Sequence, residues 1–249
     1  MVLKQAHHLR RAGLAIHALT ASGAAAGLLA LQATIDGHIR SALIWLIVCQ
    51  VLDGVDGPIA RKFAVTDHAP QFDGHILDLV VDYVTCVVVP VAFMVRMDLL
   101  PSGWQMGVGA LIVFTSALWF ARSDLETPDA WFNGFPAAWN VVVPTFLILH
   151  TGPMWATIIS IALCLLQLTN VKFPHLMRVT TMRKFTIPLM LLYLLALTVL
   201  SATYESADSL SGPRWAYLLL TITPLYLVFI VVWRTWFSGR KIFGVSILS

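Results

Sequence analysis

Charge is the scarcest commodity in this sequence. Of 249 residues, Lys and Arg supply 16 and Asp and Glu 13, so charged residues make up 12% of the chain against 58% hydrophobic. A soluble domain typically carries about 25% charged residues, so an ordinary water-facing surface is excluded. Cysteine is also rare. Cys49, Cys86 and Cys164 each lie inside an apolar run, where a thiol behaves as a small hydrophobe, and no disulfide or zinc spacing is present. There is no low-complexity linker, periodic repeat or sign of a second domain, so a single integral-membrane domain over 1–249 is expected. The small basic excess sits at segment ends rather than on one continuous face, which argues for membrane topology and against a nucleic-acid partner.

What the chain does have is long apolar runs. A transmembrane helix needs about 20 mostly apolar residues, and about eight stretches qualify, near 13–33, 41–60, 74–95, 104–121, 136–150, 154–168, 185–203 and 215–237. The fifth and sixth are short and divided by a tight break from His150 to Pro153. The expected fold class is therefore all-α, a polytopic membrane helix bundle of about eight transmembrane helices. The start, Lys4 to Arg11 before an apolar run, resembles a secretory signal peptide. The run continues to about Ala33 and further spans follow, which favours a retained first helix. Within it, Gly23 and Gly27 stand four apart, a spacing that lets helices pack closely in lipid.

Orientation follows from the Lys and Arg residues, which favour the cytoplasmic side. With the N-terminus inside, that side collects Lys4, Arg10, Arg11, Arg61, Lys62, Arg122, Lys172, Arg178, Arg183, Lys184, Arg234, Arg240 and Lys241. The other side keeps only Arg40, Arg96 and Arg214. Both the N- and C-termini are then cytoplasmic and the number of spans is even.

Ionisable residues inside a span are costly and usually functional. The second and third spans hold four carboxylates: Asp53 and Asp56 at i,i+3, and Asp78 and Asp82 at i,i+4. Each pair projects from one helix face. Asp53 lies one helical stretch of about 12 Å before Arg61, and Asp82 the same distance after Gly74, so the pairs reach similar depths. If the two helices form an antiparallel hairpin, spanning 41–97, the four acids converge. Four such charges repel strongly, and hard divalent cations with oxygen ligands relieve that repulsion. Two Mg²⁺ or Mn²⁺ ions would leave positions open for phosphate oxygens. Gly57 removes a side chain one turn after Asp53, Arg61 offers a planar fork suited to a phosphate, and Gly74 heads the third span.

Read as one string, Asp53-Gly54-Val55-Asp56-Gly57-Pro58-Ile59-Ala60-Arg61, followed by Gly74, Asp78 and Asp82, resembles the CDP-alcohol phosphotransferase motif, D-x-x-D-G-x-x-A-R then G-x-x-x-D-x-x-x-D. Every fixed position matches. The spacer from Lys62 to Asp73 is longer than usual for the family, a departure that resembles its bacterial branch making phosphatidylcholine. The resemblance implies two metals held by Asp53, Asp56, Asp78 and Asp82, with Asp82 also the catalytic base. Gly57, Ala60, Arg61 and Gly74 would line the CDP moiety of CDP-diacylglycerol. Asp67, His68 and Asp73 have no template in the family and are read as solvated loop residues. The implied setting is a multi-pass protein of the bacterial cytoplasmic (inner) membrane with its active site facing the cytoplasm, among membrane lipids, with a homodimer as an open assembly state.

On that resemblance the acceptor is choline and the product phosphatidylcholine. Choline's nitrogen cannot ionise, so its hydroxyl is the nucleophile and needs a base. Its quaternary ammonium suits aromatic faces. The segment from Glu126 to Asn140 combines Glu126 and Asp129 with aromatic residues, of which Trp131, Phe135 and Trp139 are the candidates for choline; an interfacial aromatic belt is the plainer reading. The basic run Lys172 to Lys184 is suited to anionic lipid. Two alternatives stay open. A phosphatidylserine or phosphatidylglycerophosphate synthase would need an additional cation for its acceptor, and none is evident within the spans. A cation or proton transporter would also bury carboxylates, though commonly near the midplane and in both halves of a repeat.

Overall fold

The computed structural model describes residues 2–63, 69, 71–175, 178, 182–205 and 212–237, with side chains from Arg10 onward. It is all-α apart from one short strand pair. The first two helices, α1 (Val2–Ile35) and α2 (Ile39–Lys62), join through a turn in which Gly37 takes a φ of +75°, and they pack along each other. A continuous third span then runs as α3 (Gly74–Asp82), a π-helical segment (Tyr83–Val88) and α4 (Val89–Arg96). After it come α5 (Gln105–Phe120), strand β1 (Trp131–Asn133), α6 (Trp139–Ile148), α7 (Pro153–Gln167) and strand β2 (Lys172–Pro174). Two long helices finish the described fold, α8 (Arg183–Ala202) and α9 (Arg214–Val232), the latter running on into a π-helical segment, Trp233–Phe237.

Each of the eight expected apolar stretches contains a helix. Five segments are long and apolar enough to cross a membrane: Arg10–Ile35, Ile39–Lys62, Gly74–Arg96, Arg183–Ala202 and Arg214–Phe237. The other three, α5, α6 and α7, have 16, 10 and 15 residues. At 1.5 Å per residue these fall short of a hydrocarbon layer about 30 Å thick. The break between α6 and α7 lies where the sequence places it, with His150 at φ +51° and Pro153 opening α7. Large apolar side chains stay exposed on the outer helix faces, among them Leu28, Val80, Phe114, Leu165, Leu218 and Phe229. Such faces suit hydrocarbon rather than water.

The glycine stripe of α1 serves packing, as its spacing suggests. A Cβ on Gly23 would stand 2.8 Å from Val81 Cγ1, and one on Gly27 would stand 3.0 Å from Thr85 Cγ2. Both contacts lie on the third span, so α1 is pressed against the segment that carries Asp78 and Asp82. The π-helical segment directly after Asp82 has a local cause. Pro90 has no N–H for the carbonyl of Cys86 and its ring crowds that carbonyl, so the helix widens over the preceding turn. Thr85 turns its hydroxyl to the Val81 carbonyl at 3.0 Å within the widened stretch.

The strand pair was not expected from the sequence. Trp131 pairs with Pro174, Phe132 with Phe173 and Asn133 with Lys172, antiparallel. Gly134 makes this possible at φ +86°, since a Cβ there would lie 2.5 Å from the Gln167 carbonyl oxygen. Trp119 Nε1 donates to the Asn133 carbonyl at 2.8 Å, and Arg122 Nη1 donates to that of Thr169 at 2.9 Å, tying the pair to the ends of α5 and α7. The result is a small polar platform at the end of the bundle where α2 finishes: Arg61 lies close enough to His175, just beyond β2, to act on it electrostatically.

Candidate active site

Helical spacing brings the acids together as the sequence requires, but three more tightly than the fourth. One carboxylate oxygen each from Asp53, Asp78 and Asp82 lies within 4.8 Å of the others. Asp56 is buried, 5% exposed, outside that trio but near enough to act electrostatically on each of the three. Like charges about 5 Å apart repel by roughly 3 kcal/mol even at an effective dielectric near 20. Among the described residues, none of the four acids has an ion pair within 4.0 Å; the ion pairs formed are Arg122–Asp124, Arg178–Glu126 and Arg234–Asp129. An all-oxygen, surplus-negative donor set matches hard divalent ions and not a thiolate-seeking metal. The residues present therefore fit the metal that the motif implies.

The other motif residues cluster at the same mouth. Arg61 is exposed at the end of α2, and its guanidinium lies back over Gly57, where a Cβ would stand 3.3 Å from Arg61 Nη1. Gly57 thus makes room first for Arg61. Ala60 packs with Ile59 against buried Ile16 of α1 and Ala69. Gly74 opens α3 beneath His17 of α1, whose Cε1 is 3.1 Å from where a Cβ would be. Asp73, taken from the sequence as a solvated loop residue, is the N-cap of α3: its side chain accepts from the backbone N–H groups of His75 and Ile76 at 3.0 and 3.1 Å. That cap satisfies helix-end donors next to the site. Asp67 and His68 lie outside the described residues.

Three residues to which the sequence reading gave no role belong to this surrounding. His17 is 8% exposed, its ring 5.7 Å from that of Phe72, and its Nε2 has no hydrogen-bond partner among the described residues. Gln50 stands one helical turn before Asp53 and donates to its Oδ2 at 3.2 Å, while Asn140 Nδ2 donates to Gln50 Oε1 at 2.9 Å. A polar residue inside an apolar span is the signal that would have marked all three for a role.

The three aromatic candidates for choline do not share one cage. Phe135 and Trp139 meet edge to face at 5.4 Å in the main core, and Trp139 Nε1 donates to Ser116 Oγ at 3.1 Å. Trp131 packs instead against Ile230 in a separate cluster and carries the Arg234 guanidinium 5.6 Å from its ring. On the platform, Phe132 stacks on His175 at 5.1 Å. Burial pushes the His175 imidazole below its ordinary pKa; Glu126 opposes that, and Arg178 and Arg61 reinforce it. Burial raises the Asp129 carboxyl, but the Thr127 hydroxyl and Arg234 outweigh it and leave it lowered.

The family model described as CDP-alcohol phosphatidyltransferase matches residues 16–168. The chain is 35% identical to a phosphatidylcholine synthase of Pseudomonas aeruginosa over 92% of this chain and 93% of the relative. It is 34% identical to one of Brucella melitensis, over 86% and 76% of the two chains, and 38% identical to one of Bradyrhizobium diazoefficiens, over 75% and 70%. The matched region contains all four acids, Arg61 and both glycines of the motif, and the chain belongs to the CDP-alcohol phosphatidyltransferase family.

Proposed function

We propose that the chain transfers the phosphatidyl group of CDP-diacylglycerol to choline, forming phosphatidylcholine and CMP. The observation that carries this reading is the trio Asp53, Asp78 and Asp82, with Arg61 near enough to act electrostatically on Asp78, in a chain whose relatives named above are phosphatidylcholine synthases. Divalent ions, Mg²⁺ or Mn²⁺ and by the number of acids two of them, supply Lewis-acid charge to the diphosphate when bound. Asp53, Asp56, Asp78 and Asp82 are the residues that would hold them. Gly57, Ala60, Arg61 and Gly74 line the CDP moiety, with Arg61 offered to a phosphate. The choline hydroxyl oxygen attacks the lipid-side phosphorus. A new P–O bond forms, the bond from that phosphorus to the bridging oxygen breaks, and CMP leaves with the electron pair. Asp82 takes the hydroxyl proton.

Choline's ammonium is assigned to aromatic faces among Trp131, Phe135 and Trp139. Phe135 and Trp139 are favoured, because Asn140 follows Trp139 and is two hydrogen bonds from Asp53. At Trp131 the ammonium would compete with Arg234. The topology we assign has eight membrane crossings, five by the long segments and three by the shorter α5, α6 and α7, with both termini in the cytoplasm, in the bacterial inner membrane. Arg122, Lys172, Arg178 and Arg234 gather on the platform with Arg61 nearby, while Arg40 donates to the Tyr204 carbonyl in another part of the fold, as the positive-inside rule asks of opposite ends. The exposed apolar faces admit a second copy as well as lipid; crosslinking in native membranes distinguishes the two.

The test is an assay of the purified protein with labelled CDP-diacylglycerol and Mn²⁺, comparing choline, serine, inositol and glycerol phosphate. Choline-dependent CMP release is expected. Release with serine or glycerol phosphate instead would move the chain to another branch of its family, and no turnover with any acceptor would revive the transporter reading. Reporter fusions placing the 62–73 loop outside the cell would overturn the topology.

A further inference from the structure

We infer that Gln50 and Asn140 form a positioning relay that fixes the Asp53 carboxylate for metal binding; this rests on the metal-binding reading of the acid cluster. The direction of the relay follows from hydrogen-bond chemistry. An ionised carboxylate only accepts, so Gln50, 3.2 Å from Asp53 Oδ2, must turn its amide nitrogen toward it. Its Oε1 then faces the other way and needs a donor, which Asn140 Nδ2 supplies at 2.9 Å. Neither amide can flip without setting two acceptors or two donors against each other. Asp53 thereby dictates the orientation of a side chain 87 positions away in sequence.

The far end of the relay is rigidly held. Asn140 is 2% exposed in the first turn of α6. Its neighbour Trp139 is wholly buried and bonded to Ser116, which also accepts from Gln167 Nε2 at 3.0 Å. The chain enters α6 through Ala137, a buried non-glycine residue at φ +51°, a conformation that costs roughly 1–2 kcal/mol. Asn140 Oδ1 is left buried with no partner among the described residues. Two unfavourable features are thus tolerated at the point where the donor to Gln50 is delivered, and strain kept in place by its surroundings is characteristic of functional positions. Outer partners that orient a metal-binding carboxylate are typically worth about 10–100-fold in metal affinity.

The experiment measures Mn²⁺ binding to the full chain in detergent, by the electron paramagnetic resonance of free Mn²⁺, together with thermal midpoints. Gln50→Leu should weaken Mn²⁺ binding by about 10–100-fold. Asn140→Leu should weaken it by a smaller factor, and the double variant should be no worse than Gln50→Leu, because both act through one contact. Thr145→Val, which removes a buried hydroxyl partner of Tyr193 away from the relay, should lower the thermal midpoint and leave Mn²⁺ affinity unchanged. Folded single variants with wild-type Mn²⁺ affinity would overturn the relay, as would losses that multiply in the double variant. If Gln50→Leu does not fold, Gln50→Met, closer in length, takes its place in the same measurement. Failure of the wild-type chain to bind Mn²⁺ would instead break the metal-binding reading itself.

Discussion

On the platform formed by residues 122–134 and 169–175 every described acid has its own arginine: Asp124 with Arg122, Glu126 with Arg178 and Asp129 with Arg234, at 2.6–2.8 Å. At the α2–α3 hairpin four acids share no ion pair with any described residue, and Arg61 acts on Asp56 and Asp78 only from a distance. The first region neutralises itself with parts already in the chain. The second is left negative where water is scarce, a state that folding alone does not reward. Charges balanced internally hold structure in place; charges left unbalanced in the same small protein ask for something from outside, for which the function proposed above supplies a divalent metal.

The sharpest way to break this contrast is to remove the metal. Exhaustive chelation should abolish turnover, and added Mn²⁺ should restore it; turnover that survives metal removal would mean the acids are balanced by some other means. Next in size is Asp82→Asn, which keeps one oxygen for a metal but has no basic carboxylate. Single-turnover rates at saturating Mn²⁺ should fall by at least roughly 10²–10⁴-fold, the range for losing a general base, with CDP-diacylglycerol affinity largely kept. Asp53→Asn and Asp78→Asn should instead weaken metal and nucleotide-lipid binding together. Near-normal chemistry in Asp82→Asn would hand hydroxyl activation to another group.

A smaller effect separates the core aromatics from the platform aromatic. Cation–π contacts are worth about 0.5–2 kcal/mol, or roughly 2- to 30-fold in affinity. Replacing Trp139 or Phe135 by Leu should raise the KM for choline by that factor and change the KM for CDP-diacylglycerol less. Trp131→Leu should have the weaker effect on choline, since Arg234 already occupies its face. The opposite order would move the ammonium site onto the platform.

The pairing of acids on each helix was legible because helical geometry is rigid: i,i+3 and i,i+4 spacings fix which acids share a face before any tertiary structure is known; that Asp53 joins Asp78 and Asp82 while Asp56 stands outside depends on how the helices pack. The eight apolar stretches were legible through composition alone. The π-helical segment after Asp82 was announced by Pro90, and the N-cap role of Asp73 by its place just before an apolar run, though neither signal was read. The β1–β2 pair had no comparable signal, since three residues a side show no alternation and the partners lie some forty residues apart. That Phe135 and Trp139 join the main core while Trp131 packs on Ile230 depends on how α6 and α9 pack, which local spacing does not encode.

On the platform the expected effects are smaller still. Arg178→Gln removes an ion pair whose side chains are 45% and 28% exposed. Such pairs contribute within about 1 kcal/mol, so the thermal midpoint should shift by a few degrees at most, and less in high salt. A large loss would show that the platform depends on its pairs as strongly as the hairpin depends on metal.

The smallest effect should be a pH dependence carried by His175, which Glu126, Arg178, Arg61 and the Phe132 ring surround. Burial holds its folded pKa below that of the unfolded chain. As pH falls, the unfolded chain therefore takes up the proton first, and protons bound only by the unfolded state favour unfolding. The stability linked to a neutral His175 is complete above the unfolded histidine value, near 6.5. It is lost as pH falls from there toward the folded value. His175→Phe keeps a ring against Phe132 but cannot titrate. Thermal midpoints of the two proteins, measured from about pH 7.5 down to 5, should therefore diverge in one direction only, with the wild type losing more. Parallel curves would mean that His175 meets the same proton affinity folded and unfolded, and that the platform shields it from nothing.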